Sequence, residues 1–205
     1  MLDSLDVPAG GMPGLKVVFL NGPPRVGKDT AGRAIVDEYF DTQIAKFAEP
    51  LKRMTHAMYN LPTDLDPEFF DAVKDEPRPE FYGKTPRQAY IFTSENIIKP
   101  YFGDDYYGKL MLRTLWRLYQ KGVRLVAVTD SGFSSEAWPT IHLVGKENCM
   151  LLRVHAEGRG KTFSGDSRSY IELPGVYTVD IHNDDMDAVA FGYATLREVA
   201  SWLAG

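Results

Sequence analysis

The stretch GPPRVGKDT, residues 22–30, has the residue types and spacing of a phosphate-binding loop, with two glycines five positions apart and a lysine directly after the second. Glycines let backbone N–H groups converge on a phosphate, and a lysine can follow a phosphoryl group during its transfer. The spacing predicts that this segment holds the phosphates of a nucleotide. The residues assigned to it are Gly22, Arg25, Val26, Gly27, Lys28, Asp29 and Thr30.

Asp29 stands where such loops usually carry the Ser or Thr that binds magnesium. Magnesium accepts carboxylate oxygen and keeps several waters, so Asp29 could hold the hydrated ion directly or through a water. The alternative is that Asp29 only stabilises the first turn of a helix, where a negative charge favours the helix dipole. Thr30 remains available to bind a phosphate.

The elements around the loop support this interpretation. LKVVFLN, just before it, is an almost continuous apolar run, as expected of a parallel strand that is covered on both faces. After it, Ala31, Ile35 and Tyr39 recur at helical spacing. A chance glycine-lysine turn would not require a strand before it and a helix after it.

Strands alternate with helices along the rest of the chain. QIAKFA, VRLVAVTD, CMLLRVHA and VYTVDIHND are the further predicted strands, and the last helix repeats apolar residues at three- and four-residue intervals. This alternation predicts a doubly wound α/β fold of the P-loop NTPase type, with a mainly parallel sheet and helices on both faces. The apolar residues of that last helix are Val189, Tyr193, Leu196, Ala200 and Leu203.

Composition favours a single soluble domain. The 205 residues carry a net charge of -5 and contain one cysteine, which excludes an intrachain disulfide. No run of 18 apolar residues and no signal peptide are found, so a cytoplasmic protein with no membrane contact is expected. Residues 1–14 hold three glycines and two prolines and are expected to be a flexible tail, with one domain over 15–205. The acidic total favours a small-molecule substrate over nucleic acid.

GPPRVGKDTAG followed by KFAEPLKRM resembles the bacteriophage deoxynucleoside monophosphate kinases. The resemblance extends in the same order to TPRQAYIFTSENIIKPYFGDDYYGKLM, VAVTDSGFSSE and a late IHND, and so covers most of the chain from Leu15 onward. In that family an arginine often follows the aspartate that corresponds to Asp130 of VAVTDSGFSSE; here Gly132 and Phe133 stand in its place.

The resemblance implies transfer of the ATP γ-phosphoryl group to the 5′-phosphate of a deoxynucleotide, with ATP and Mg²⁺ required. Lys28 and the loop would hold ATP, Asp29 and Asp130 would organise magnesium, and Asn183 would line the adenine pocket. For Asp130 and Asn183 a helix cap or turn is the alternative. A phage protein of this kind would work in the host cytoplasm, and a homodimer is one form that it could take.

Arginines and lysines are expected to neutralise the phosphates. Arg159 and Arg168 lie in a basic loop that is predicted to be a lid, about 156–170, although it could be an ordinary solvated loop. Lys74, Arg87 and Arg113 are predicted to bind the acceptor within about 60–122, a region that begins with a proline-rich stretch at 61–84. Each of the three could instead be surface charge.

Two further functions stay open. The acceptor could be a hydroxyl, such as a hydroxymethylated base in phage DNA, which would benefit from a positioned carboxylate such as Asp130 or Glu49. Nucleic acid is a partner only under that alternative. The chain could also be a nucleotide-binding regulatory domain that has kept the loop without turnover.

Overall fold

The computed structural model describes residues 11–163 and 168–205, and its centre is a five-stranded sheet. The order across the sheet is β2-β3-β1-β4-β5, and every pairing of neighbouring strands is parallel. The predicted mainly parallel sheet is confirmed. The strands are β1 Lys16–Asn21, β2 Thr42–Ala45, β3 Leu125–Ser131, β4 Cys149–His155 and β5 Tyr177–His182.

Helices connect the strands, and the longest connection contains a π-helical turn, Thr93–Ile98, between two α-helices. Among the described residues no helix is long and apolar enough to cross a membrane. The α-helices are α1 Lys28–Glu38, α2 Ala48–Met58, α3 Pro86–Phe92, α4 Lys99–Phe102, α5 Tyr106–Gln120, α6 Ser134–Val144 and α7 Ala188–Ala204. Short 3₁₀ turns lie at Asp71–Val73, Pro79–Phe81, Lys146–Asn148 and Glu157–Arg159.

The sheet is buried on both faces. Val17 and Phe19 of β1 belong to a hydrophobic cluster that also contains residues of α5 and α6. Val18 and Leu20 belong to a second cluster, with residues of α1 and α7. Because successive side chains of a strand point to opposite faces, a strand between two helical layers is apolar throughout. The fold is therefore the doubly wound α/β fold of the P-loop NTPase type.

The buried face of α7 differs from the predicted one. Val189 and Tyr193 were expected on the apolar stripe, but they are 67% and 70% exposed. The buried side contains Phe191, Thr195 and Val199, and Leu196 and Leu203 of the predicted stripe pack beside them. α7 is apolar on much of its circumference, so its sequence spacing alone is compatible with more than one stripe. Packing against α1 selects the observed one.

The N-terminal segment packs on the core before β1 begins. Met12 is 3% exposed, and its carbonyl accepts a hydrogen bond of 3.0 Å from the amide of Leu15. The end of the predicted tail over 1–14 is thus part of the fold, because Met12 joins the hydrophobic cluster of β1. The first ten residues lie outside the described part of the chain.

The proline-rich stretch at 61–84 has a small core of its own. Phe70 and Phe81 are buried with Ala89 of α3, and the two phenyl rings meet edge to face at 5.0 Å. Nearby, Nε2 of His56 and the hydroxyl of Tyr90 are 2.9 Å apart. These contacts fix the stretch beside α2 and α3, so it forms a packed layer next to the carboxyl ends of the strands.

Candidate active site

The loop between β1 and α1 has a backbone that requires its two glycines. Gly22 and Gly27 have φ angles of 150° and 112°, which side chains rarely adopt. A Cβ on Gly22 would lie 2.5 Å from the carbonyl oxygen of Val154. A Cβ on Gly27 would lie 2.9 Å from the ring of Phe191. Both glycines are therefore fixed by close approach as well as by backbone angle.

Lys28 begins α1 and returns over the loop. Its Nζ donates to the carbonyl oxygens of Gly22 and Pro23, at 2.7 and 2.6 Å. The ammonium group is thereby held beside the loop at the N-terminal end of α1, where the helix contributes positive potential. Arg25, with a φ of 63°, is exposed on the same loop. Thr30 lies in the first turn of α1 and is partly exposed.

Asn183, directly after β5, fastens the loop from the other side. Its Nδ2 donates to the carbonyl oxygen of Val26 at 2.7 Å, and its side chain is buried. Its Oδ1 is also buried and has no hydrogen-bond partner among the described residues. The sequence did not predict this support of the loop, and the contact of Asn183 with adenine stays a prediction.

Asp29 lies at the edge of the loop, and its side chain is 65% exposed. Oδ1 is 3.2 Å from Nζ of Lys46 and accepts a hydrogen bond of 3.2 Å from Oγ1 of Thr129. Partial burial would raise the pKa of Asp29, but Lys46, Thr129 and the charge of Lys28 together hold this pKa below its ordinary value. Asp29 is therefore an ionised carboxylate that solvent can reach.

Asp130, near the carboxyl end of β3, caps α2. Its Oδ1 accepts from the amide of Phe47 and its Oδ2 from the amide of Ala48, both at 2.8 Å. Burial raises the pKa of Asp130, although the two amide hydrogen bonds oppose this. The helix-cap alternative thus accounts for both oxygens of Asp130, and its part in magnesium binding stays a prediction.

The structure brings two of the three predicted acceptor-binding residues together. The amide of Arg87 donates to the carbonyl oxygen of Lys74 at 3.0 Å, and the Arg87 guanidinium pairs with both carboxylate oxygens of Asp75. Burial lowers the pKa of Lys74, and the charge of Arg87 lowers it further. The charge of Arg25 also contributes, less than Arg87 does, to lowering the pKa of Asp75, so Arg25 is within electrostatic range of this group.

Arg113, the third of these residues, is exposed on α5 and makes no hydrogen bond or ion pair with the described part of the chain. Its neighbours on the buried side of the helix are Met111, Leu112 and Leu115. Lys109 and Arg117, four residues before and after Arg113 on α5, are also exposed, so all three lie on a solvated surface. The structure does not bring Arg113 to the loop.

The two predicted lid arginines lie on opposite sides of β1. Of the predicted lid at about 156–170, residues 164–167 lie outside the described residues. Nη1 of Arg159 donates to the carbonyl oxygen of Asn183 at 3.2 Å, on the β5 side. Arg168 packs on Gly132, on the β3 side, where a Cβ would lie 2.5 Å from its Cδ. Arg168 thus lies against the stretch that directly follows Asp130.

Glu136, in the first turn of α6, is a buried carboxyl that no sequence motif indicates. It is 5% exposed, and burial together with the charge of Asp130 raises its pKa to about 8. Lys99 and Arg168 act in the opposite direction. Lys99 itself lies 4.2 Å from the centre of the Phe133 ring. Glu136 adds a carboxyl of altered acidity to the β3 side of the site.

No protein-family model and no curated protein matches this sequence. Among solved structures, an unliganded sugar kinase from Janibacter sp. HTCC2649 is similar with a TM-score of 0.45 and 12% identity, over 93% of this chain and 95% of that one. A proposed kinase from Chloroflexus aurantiacus J-10-fl has a TM-score of 0.47 and 15% identity, over 93% of this chain and 99% of that one. Similarity at this level does not bear on the function of this chain.

Proposed function

We propose that this chain is a phosphotransferase that uses ATP and Mg²⁺ to convert a deoxynucleoside 5′-monophosphate into the diphosphate. The observation that carries the proposal is the loop itself. A side chain at Gly22 or Gly27 would clash with neighbouring atoms, and Lys28 is held at the N-terminal end of α1. This combination suits a chain of phosphates, because backbone amides and a lysine can neutralise their oxygens together.

Magnesium fits Asp29. In the described part of the chain no group of three or more His, Cys, Asp or Glu side chains could form a metal site by itself. Magnesium does not need such a group, because it commonly takes one or two carboxylates together with substrate phosphates and waters. Asp29 is ionised and exposed beside the loop, which makes it suitable for this role. The ion would neutralise charge on the β- and γ-phosphate oxygens.

The contacts already made by Asp130 and Glu49 favour a monophosphate acceptor over a hydroxyl acceptor. A nucleoside monophosphate presents an anionic oxygen and needs no protein base, whereas a hydroxyl benefits from one. Both oxygens of Asp130 accept amide hydrogen bonds, and Glu49 accepts hydrogen bonds from Arg53. Neither of the two carboxylates considered for a base is therefore free of other partners.

The residues of the chain have separate parts in this proposal. Lys28 holds the donor phosphates and accompanies the γ-phosphoryl group, while Arg25, Lys74 and Arg87 supply positive charge on the side from which the acceptor approaches. In-line transfer then requires only that the two substrates are aligned and that their charges are neutralised.

The test is an assay with γ-labelled ATP, magnesium and each of the four deoxynucleoside monophosphates, run beside reactions with unmodified and hydroxymethylated DNA. Label in a deoxynucleoside diphosphate would support the proposal and give the base preference. Label only in hydroxymethylated DNA would move the acceptor to a hydroxyl. No label in any product, from a protein that binds ATP, would favour a regulatory nucleotide-binding domain.

A further inference from the structure

The segment that follows Arg168 crosses the carboxyl ends of β1 and β3 and is fastened there by one buried side chain. Asn21, the last residue of β1, is fully buried. Its Nδ2 donates to the carbonyl oxygens of Ser131 and Ser169, at 2.8 and 3.0 Å, and its Oδ1 accepts from the amide of Ile171 at 3.2 Å. Asn21 thus joins the end of β1, the end of β3 and the segment 169–171.

Gly132 provides the space in which the stem of Arg168 lies. A Cβ at position 132 would be 2.5 Å from Cδ, 2.7 Å from Cγ and 3.3 Å from Cβ of Arg168. Glycine is therefore required here by contact, since its φ lies outside the left-handed range. Any larger residue at position 132 must displace Arg168.

Arg168 and Arg159 lie near different parts of the proposed site. Arg159 contacts Asn183, which holds the phosphate loop. Arg168 packs on Gly132, which is two residues after Asp130 in the chain. The carboxylate of Asp130 caps α2, and α2 packs against α3, whose Arg87 is hydrogen-bonded to Lys74. The first arginine is thus on the donor side and the second on the acceptor side.

We propose that Asn21 is a positioning residue that fixes Arg168 on the acceptor side, where Arg168 binds an anionic oxygen of the acceptor, while Arg159 serves the donor nucleotide. This inference rests on the proposed phosphotransfer. It assigns a substrate to each arginine and gives Asn21 a role in the reaction, in addition to the three hydrogen bonds that its side chain makes with backbone groups.

The test is steady-state kinetics with each substrate varied in turn, on the full chain. Arg168→Ala and Gly132→Ala should each raise the KM for the acceptor, by about 10- to 100-fold for the loss of one charge-assisted contact, and leave the KM for ATP unchanged. Arg159→Ala is the matched control and should raise the KM for ATP instead. Gly132→Ala displaces Arg168 without removing any polar group.

Asn21→Asp keeps the acceptor for Ile171 but removes the donor to Ser131 and Ser169. If Asn21 acts through Arg168, Asn21→Asp should raise the acceptor KM in the wild-type background and have no further effect on it in the Arg168→Ala background. If the increases in acceptor KM of the two single variants multiply in the double variant, Asn21 is only structural. If Asn21→Asp does not fold, Gly132→Ala can be compared in the wild-type and in the Arg168→Ala background. This comparison still tests whether Arg168 is placed on the acceptor side.

The outcomes separate this inference from the proposed function. A wild-type chain that transfers phosphate to no acceptor would refute the proposed function. An active wild type whose acceptor KM is unchanged by Arg168→Ala and Gly132→Ala would refute the inference alone, and so would a rise in the KM for ATP in Arg168→Ala.

Discussion

Nζ of Lys46 lies 3.2 Å from Oδ1 of Asp29 and 2.5 Å from Oε1 of Glu68. Asp29 is the residue that replaces the usual hydroxyl of the loop, and Glu68 belongs to the proline-rich stretch. Lys46 therefore connects the proposed magnesium ligand with the proposed acceptor region. Any cation that binds Asp29 has to compete with this lysine.

Lys46→Met should lower the magnesium concentration that gives half-maximal activity. Removing the ammonium group leaves Asp29 without its competing cation, and exposed ion pairs of this kind contribute about 0.2–1 kcal/mol, which corresponds to a change of about 1.4- to 5-fold. Titrating the activity of the wild type and of Lys46→Met with magnesium measures this change. Lys52→Met is a matched control, because Lys52 pairs with Asp71 instead. The same magnesium requirement in wild type and Lys46→Met would contradict the competition.

Lys28→Ala should remove most of the turnover and leave the chain folded. The ammonium group donates to two loop carbonyls, whereas in phosphotransfer it would stabilise developing charge, an effect of about 10²- to 10³-fold. Turnover and thermal unfolding should be measured together, with the exposed Lys84→Ala as the control. A folded Lys28→Ala variant with near-normal turnover would refute the role of the loop in phosphotransfer.

The sheet and the loop could be predicted because they follow from local patterns. β1 and β3 each contain an apolar run of four residues, and the spacing of Gly22, Gly27 and Lys28 is fixed by the contact between a loop and phosphate. Lys46 could also have been found, since it directly follows β2 and ligands in such sheets bind at the carboxyl ends of strands.

Asn21, Gly132 and Glu136 could not be predicted in the same way. Each is a single residue whose role depends on a partner far away in the sequence, such as Ser169 for Asn21 and Arg168 for Gly132. Periodicity contains no information about such pairs. Val189 and Tyr193 of α7 were mispredicted for a related reason, because tertiary packing selected one of several apolar stripes, while Leu196 and Leu203 pack on the core as predicted.

Glu136→Gln should make the stability of the fold less dependent on pH. The pKa of Glu136 is about 8 in the folded chain and 4.5 ordinarily, because burial and Asp130 outweigh the opposing charges of Lys99 and Arg168, while Glu95 adds to the rise. Between about pH 5 and pH 8 the folded chain therefore holds a proton that the unfolded chain has lost. The contribution of Glu136 to stability is complete below about pH 4.5, where the carboxyl is protonated in both states, and it is lost progressively as the pH rises to about 8.

Urea unfolding at several pH values measures this contribution. The wild type should lose stability towards pH 8 more steeply than Glu136→Gln, by up to about 1.4 kcal/mol per pH unit for one group. Glu172→Gln, at an exposed glutamate, is the control and should follow the wild type. Parallel curves for Glu136→Gln and the wild type would mean that Glu136 ionises normally in the folded chain.

Asp130→Asn should mainly lower the stability of the fold, whereas Asp29→Asn should mainly change the magnesium requirement. Asn has one acceptor oxygen, so Asp130→Asn leaves the amide of Phe47 or of Ala48 without its partner and should lower the free energy of unfolding by about 1 kcal/mol, the usual cost of a lost helix cap. Asp29→Asn affects an exposed side chain and should mainly raise the magnesium requirement. Urea unfolding and magnesium titration of both variants compare the two roles directly. If Asp130→Asn raises the magnesium requirement more than Asp29→Asn does, Asp130 is the principal ligand and its capping of α2 is secondary.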